Sequence, residues 1–186
     1  MTNSSKIKTV AITGATGLVG TSLTSLLRDE GKSVLGISRR DGTSYQDAIR
    51  WDPASGLTNP ARLESVDAIV HLAGENIAGG RWNGALKRKI RSSRVEGTRN
   101  LIKSIAAVEK RPSVLVSASA IGFYGDRGKT ELDESSSAGT GYLTEVCEEW
   151  EKEAIEAMNY PCTCAEPDKG SCNRCLWCEG LIPKEA

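Results

Sequence analysis

The stretch KTVAITGATGLVGTSLTSLL, residues 8 to 27, constrains the fold more than any other part of the sequence. A short apolar run from Val10 to Ile12 leads straight into Gly14, Gly17 and Gly20, and an apolar helical pattern follows. The order is strand, tight turn, helix. Such a turn points free backbone N–H groups and the positive end of a helix at one spot, which suits a pyrophosphate, and glycines let the backbone come close to it. The spacing is GxxGxxG rather than GxGxxG. An ordinary tight strand-to-helix turn is the competing reading, but the strand before and the helix after supply the context the nucleotide mechanism demands.

If the turn holds a dinucleotide, the end of the second strand decides which one. The run VLGISRR, residues 34 to 40, ends in Ser38, Arg39 and Arg40, about 20 residues past the last glycine, where an Asp or Glu would grip the ribose 2′-hydroxyl of NAD. A carboxylate there would repel a 2′-phosphate, whereas a guanidinium offers it a fork of donors. Hydrogen bonds to charged groups contribute about 1.5–3 kcal/mol each, so the expectation is NADP(H) over NAD(H) by roughly ten- to a hundredfold. The alternative is a solvated basic pair at a strand end.

The chain has 186 residues, enough for one domain with a sizeable core. Its 24 basic and 24 acidic residues cancel, which removes any global electrostatic case for nucleic acid or an anionic membrane. The basic run Lys87, Arg88, Lys89, Arg91 and Arg94 falls on a long helical pattern and reads mostly as a solvated face. No apolar run approaches the roughly 20 residues of a membrane span, and the N-terminal MTNSSKIK has no signal-peptide core. The expectation is a soluble cytoplasmic protein, with an organelle left open.

The periodicities predict strands near 8–13, 33–38, 49–51, 67–72 and 113–118 and helices near 17–30, 84–109 and 141–158. This alternation argues for α/β architecture, a doubly wound parallel sheet with helices on both faces. DAIVHLA and PSVLVSA are nearly continuous apolar runs, as strands buried on both sides require.

Six motifs in order carry a resemblance. They are TGATGLVG, WDP (51–53), HLAGENIAGGRW (71–82), SRVEGT (93–98), SASAIGFYGDRG (117–128) and LTEVCEEWEKEA (143–154). Together they resemble the atypical extended short-chain dehydrogenase/reductases, in particular the epimerase-family subgroup labelled nucleoside-diphosphate-sugar epimerases or cell-division-inhibitor-like proteins. The resemblance implies a Rossmann-type NADP(H)-binding domain over residues 1–158, with an unknown small-molecule substrate. By position, Gly14, Thr16, Gly17, Leu18, Val19 and Gly20 would line the pyrophosphate, and Ser38 and Arg39 would meet the adenosine phosphate. Leu72, Ala73 and Gly74 would run along the ribose and adenine side, Arg94 would face the cofactor, and Ser117, at the end of its strand, would also meet the cofactor. Plain core packing for Leu72 and Ala73 and surface charge for Arg94 are the alternatives.

The resemblance also implies where catalytic residues would stand. Short-chain dehydrogenases use a Ser or Thr after the fifth strand and a Tyr-x-x-x-Lys on the next helix, where the lysine lowers the tyrosine pKa. Ser119 is the expected hydroxyl, and Tyr124 matches a substrate-side tyrosine. However, Tyr142 is followed four residues later by Val146, so the proton-transfer pair is missing. Tyr142, Val146, Trp150 and Ala154 read as a packing face instead. His71, the sole histidine, reads as a structural residue, and Trp51 and Asp52 as fixing a turn.

Residues 159–186 change character. Five of the six cysteines, at 162, 164, 172, 175 and 178, fall there, and Cys162, Cys164, Cys172 and Cys175 are weak candidates for a zinc site. The other reading is a tail unrelated to the family, from altered splicing, a frameshift or a truncated gene model. On that reading the Rossmann sheet is incomplete at its C-terminal side, so nucleotide binding is expected to survive and turnover is not. Three functions follow: an NADP(H)-dependent oxidoreductase or epimerase, a non-catalytic NADPH-binding module or inactive isoform, and a small zinc-binding protein.

Overall fold

A computed structural model describes residues 7–39 and 48–160. Arg40 and the tail cysteines at 162, 164, 172, 175 and 178 lie outside the described residues.

Among the described residues, six strands form one sheet: β1 (Thr9–Thr13), β2 (Ser33–Ser38), β3 (Ile49–Asp52), β4 (Gly56–Leu57), β5 (Ala68–His71) and β6 (Val114–Ser117), in the order β4-β3-β2-β1-β5-β6. All neighbours run parallel except the short β3–β4 pair. Among the described residues, three α-helices accompany the sheet: α1 (Leu18–Asp29), α2 (Gly84–Ala106) and α3 (Tyr142–Ile155). This is the Rossmann-type doubly wound arrangement, with β1 central and its two parallel neighbours reached by crossovers.

Side chains alternate across a strand, so β1 divides the core in two. Val10 and Ile12 pack with Ala15, Val34, Ala68 and Val114, against Leu23 and Leu27 of α1. Ala11, on the opposite face, joins Ile37, Ile49, Trp51 and Ile69 beneath Leu101, Ile102 and Ile105 of α2. Both faces are therefore dry, which is why β1 and β5 read as continuous apolar runs. Burying Ile69, which is 0% exposed, contributes about 1.5–3 kcal/mol.

Differences from the sequence pattern are local. WDP does more than turn the chain: Trp51 is buried in the core beside His71, and Asp52 closes a turn by accepting from the Ala54 N–H at 2.9 Å. The two-residue β4 has no period to detect. It is held instead by Ser104 of α2, whose hydroxyl accepts from the Leu57 N–H at 3.0 Å. The third helix ends at Ile155 and tightens into a 3-10 turn over Glu156–Asn159. Among the described residues no helix is long and apolar enough to cross a membrane.

Candidate functional site

Parallel register brings the C-terminal ends of the strands to one edge. Thr13 pairs with Ile37 on one side and His71 on the other, and His71 pairs with Ser117. The ends of these strands, the loops leaving them and the first turn of α1 carry every cofactor-binding candidate except Arg94, which reaches the same edge from α2.

The glycine turn is packed where it must be and open where a ligand would sit. Gly14 has φ +69°, and a Cβ there would lie 3.1 Å from the Ala73 nitrogen, so this turn rests on the end of β5. A Cβ on Gly20 would lie 2.2 Å from the Gly14 carbonyl oxygen, which only glycine avoids. Gly17 caps α1 without a side-chain hydrogen bond, so the first-turn N–H groups face outward. Thr16 and Gly17 are exposed, and Leu18 and Val19 are 89% and 63% exposed although apolar. Across the edge, Ser38 is half-buried at the end of β2 and Arg39 is exposed just beyond it.

Beneath the turn lies a buried polar chain. The Thr13 hydroxyl accepts from the N–H groups of Leu72 at 3.0 Å and Ala73 at 3.1 Å and lies 2.7 Å from His71 Nδ1. With its lone pairs so used, its own O–H donates to Nδ1. The opposite ring nitrogen, Nε2, then carries the proton and donates to Thr98 Oγ1 at 2.9 Å. Burial pushes the His71 pKa down to about 4, so the ring is neutral. His71 is structural, as its isolation in the sequence suggested. Thr13 and Thr98 were not singled out there, although each adjoins or belongs to a motif, TGATG and SRVEGT.

Arg94 crosses from α2 to the Leu72–Gly74 segment. Its Nη1 donates to the Glu75 carbonyl at 3.0 Å and the Ile90 carbonyl at 3.4 Å, and its guanidinium lies 5.3 Å over the Trp150 ring. A Cβ on Gly74 would come within 3.0 Å of the guanidinium carbon. Burial pulls its pKa below the ordinary value, against opposing pulls from Cys147, Tyr142 and Glu75, but a guanidinium stays charged.

Ser117 is half-buried at the end of β6, and its hydroxyl donates to the Ala118 carbonyl at 3.4 Å. Ser119 is exposed and donates to the carboxylate of Glu151 on α3. Tyr124 ends a 3-10 turn, Ile121–Tyr124, with its ring edge-on to Phe123 at 5.3 Å. Among the described residues no hydrogen bond joins its hydroxyl to Ser119. Two glycines tie the loop after it shut at the base. The Gly139 N–H donates to the Phe123 carbonyl at 2.9 Å, a Cβ on Gly139 would lie 2.0 Å from the Tyr124 carbonyl oxygen, and Gly125 has φ +65°. Arg127 adds bonds to the Tyr124 carbonyl at 3.2 Å and the Ala138 carbonyl at 2.8 Å.

Tyr142 turns away. Its hydroxyl donates to the Lys87 carbonyl on α2, and burial raises its pKa, partly offset by Arg91 and Arg94. Val146 and Trp150 are buried, so this face of α3 packs, as its spacing predicts. Among the described residues no group of His, Cys, Asp and Glu could hold a metal.

Comparison with known proteins fits this geometry. The sequence model of the NAD dependent epimerase/dehydratase family matches residues 10–157. Epimerase family protein Mb2239 of Mycobacterium bovis is 43% identical over 142 residues, covering 76% of this chain and 46% of that protein. Among solved structures, the nucleoside-diphosphate sugar epimerase from Corynebacterium glutamicum superimposes with a TM-score of 0.68 at 36% identity, over 83% of this chain and 32% of that one. Human SDR39U1 (isoform 2), solved with NADPH, gives 0.67 at 34% identity, over 78% and 48%. The chain thus spans about half the length of the curated relatives it matches. With a match over most of its length, the chain belongs to the NAD dependent epimerase/dehydratase family.

Proposed function

We propose that this chain binds NADP(H) and forms the cofactor-binding part of an extended short-chain oxidoreductase or epimerase, with residues 1–158 as that unit and 159–186 apart from it. The observation that carries the reading is the end of β2. There the half-buried Ser38 hydroxyl and the exposed Arg39 guanidinium stand on the same sheet edge as the uncapped N-terminus of α1. The residues fit the group: the α1 N-terminus and Gly17 suit the pyrophosphate, and Arg39 suits a 2′-phosphate. Thr16, Leu18 and Val19, exposed on the open side of the turn, would lie along the pyrophosphate and adjoining ribose, with Leu72–Gly74 opposite. The NADPH in the human SDR39U1 structure supports the choice of cofactor.

When bound, a nicotinamide dinucleotide supplies or accepts a hydride at a substrate carbon. The protein's own part is to hold the substrate oxygen, with Ser119 as the hydroxyl in reach of the edge and Tyr124 beyond it. The absence of Tyr-x-x-x-Lys, with the Tyr142 hydroxyl engaged on α2, favours one second reading: a module that binds NADPH without turnover.

Fluorescence titration with NADPH and NADH in parallel tests the proposal. NADPH should bind tighter by roughly ten- to a hundredfold, and Arg39→Asp should erase that preference. Equal affinities in the parent chain would remove Arg39 as a phosphate ligand, and no binding of either nucleotide by the folded chain would end the reading.

A further inference from the structure

Three side chains of α3 reach back to the segment that follows β6. The Thr144 hydroxyl donates to the Gly122 carbonyl at 3.1 Å, the Cys147 thiol to the Ala120 carbonyl at 3.7 Å, and the Glu151 carboxylate accepts from Ser119. Positions 144, 147 and 151 share one helix face. The first two contacts pin backbone and are enough to dock the helix. The third differs in kind, because it sets the direction of a side-chain hydroxyl on the open edge of the sheet, where neither a lysine nor a tyrosine is bonded to it.

A hydroxyl has one proton to donate and two lone pairs. While Glu151 is ionised, the Ser119 proton points at it and the Ser119 lone pairs face outward. Once Glu151 is protonated it can donate to Ser119, whose own proton is then free to face outward. On α3, Glu151 faces the Cys147 thiol, whose pKa is raised first by burial and next by Glu151 itself. From α2 the Arg94 guanidinium bears on that same thiol, and from the segment after β6 comes the Ser119 hydroxyl.

We propose that Glu151 is the positioning residue and proton store of this site. Acting through Ser119, it presents an acceptor to a substrate hydroxyl when ionised and a donor to a substrate carbonyl when protonated. In carbonyl reduction, the carbonyl carbon gains a hydride from a reduced nicotinamide and the carbonyl oxygen gains the Ser119 proton. Ser119 regains a proton from Glu151, and Glu151 is left as the carboxylate; oxidation of an alcohol is the reverse. The pair thus does the work of the missing Tyr-x-x-x-Lys. The inference rests on the proposed cofactor reading.

The test uses the whole chain, with NADPH binding measured first and phenanthrenequinone as the carbonyl probe. Glu151→Gln should bind NADPH as the wild type does yet reduce the quinone about a hundredfold more slowly, and Glu151→Asp should restore part of that rate. Glu153→Gln on the same helix is the control and should match wild type. Independently of turnover, the carbon-13 carboxyl resonance that disappears in Glu151→Gln should move in Ser119→Ala. The proposal is overturned by a Gln variant that binds NADPH and keeps the wild-type rate. A carboxyl resonance indifferent to Ser119 would overturn it too, as would a wild-type chain that binds NADPH yet reduces no quinone at any pH. Failure of NADPH to bind overturns the cofactor reading instead, and the resonance then decides the Ser119–Glu151 pair alone.

Discussion

Lowering the pH acts on one identifiable group in the core of this fold. His71 is the sole histidine, is 0% exposed, and has its pKa pushed down from 6.5 to about 4 by burial. In the unfolded chain the imidazole takes a proton near its ordinary value; in the folded chain it resists, because Nδ1 already accepts from Thr13 and charge is costly in a dry core. The contribution of neutral His71 is therefore complete above about pH 6.5 and lost progressively down to about pH 4. At roughly 1.4 kcal/mol per unit, the whole window amounts to about 3 kcal/mol, of which about 2 kcal/mol falls above pH 5, before most carboxylates begin to titrate. Urea unfolding at about pH 7, 6 and 5 measures the slope. His71→Leu should be less stable at neutral pH but nearly flat over the same interval. Nitrogen NMR reads the ring directly and needs no assignment: Nε2 should stay protonated and Nδ1 bare down to about pH 5. A folded-state titration near 6.5, or an unchanged slope in His71→Leu, would refute the reasoning.

Four further expectations concern the site's frame. Gly20→Ala, with its Cβ 2.2 Å from the Gly14 oxygen, should cost about 1–3 kcal/mol and several degrees of thermal midpoint. Gly17→Ala, whose nearest contact is 3.2 Å, should leave the midpoint nearly unchanged yet weaken NADPH binding, because its methyl falls where the pyrophosphate would lie. Thr13→Val keeps the shape but strands the Ala73 N–H and the His71 nitrogen, while the Leu72 N–H keeps its 3.3 Å bond to the Thr13 carbonyl, so urea titration should register about 1–3 kcal/mol of lost stability that Thr13→Ser largely restores. Arg99→Ala breaks the pair with Glu153 that links α2 to α3, but the arginine is 47% exposed, so its effect should stay within about 1 kcal/mol and shrink further in salt.

The sheet was legible because its signal is local and repeated. Apolar runs of strand length alternate with helical patterns, and β2 falls on the 33–38 expected from VLGIS. The glycine turn was legible because a positive φ at Gly14 and a close approach at Gly20 can only be met by one residue type. What escaped the sequence is contact across distance. Thr13 and Thr98 look like ordinary strand and helix threonines until a histidine lies between them. Glu151 sits 32 residues from Ser119, in a helix already rich in glutamates, and nothing in its neighbours marks it. Arg94 was legible as a residue of interest, but its perch on Trp150 and the Glu75 carbonyl depends on how α2 and α3 meet.

The closed base of the loop after Tyr124 has a consequence for how the chain can be altered. Because Gly139 and Gly125 fasten the two ends beside Tyr124, residues 126–138 form an appendage whose length is decoupled from the frame. Doubling such a span adds only about 0.6 kcal/mol of closure entropy. A spectroscopic probe, an affinity tag or a specificity loop grafted into the outer part of this appendage, clear of Arg127 and Ala138, would therefore leave Tyr124 where it stands, whereas a single methyl added at Gly139 would displace it.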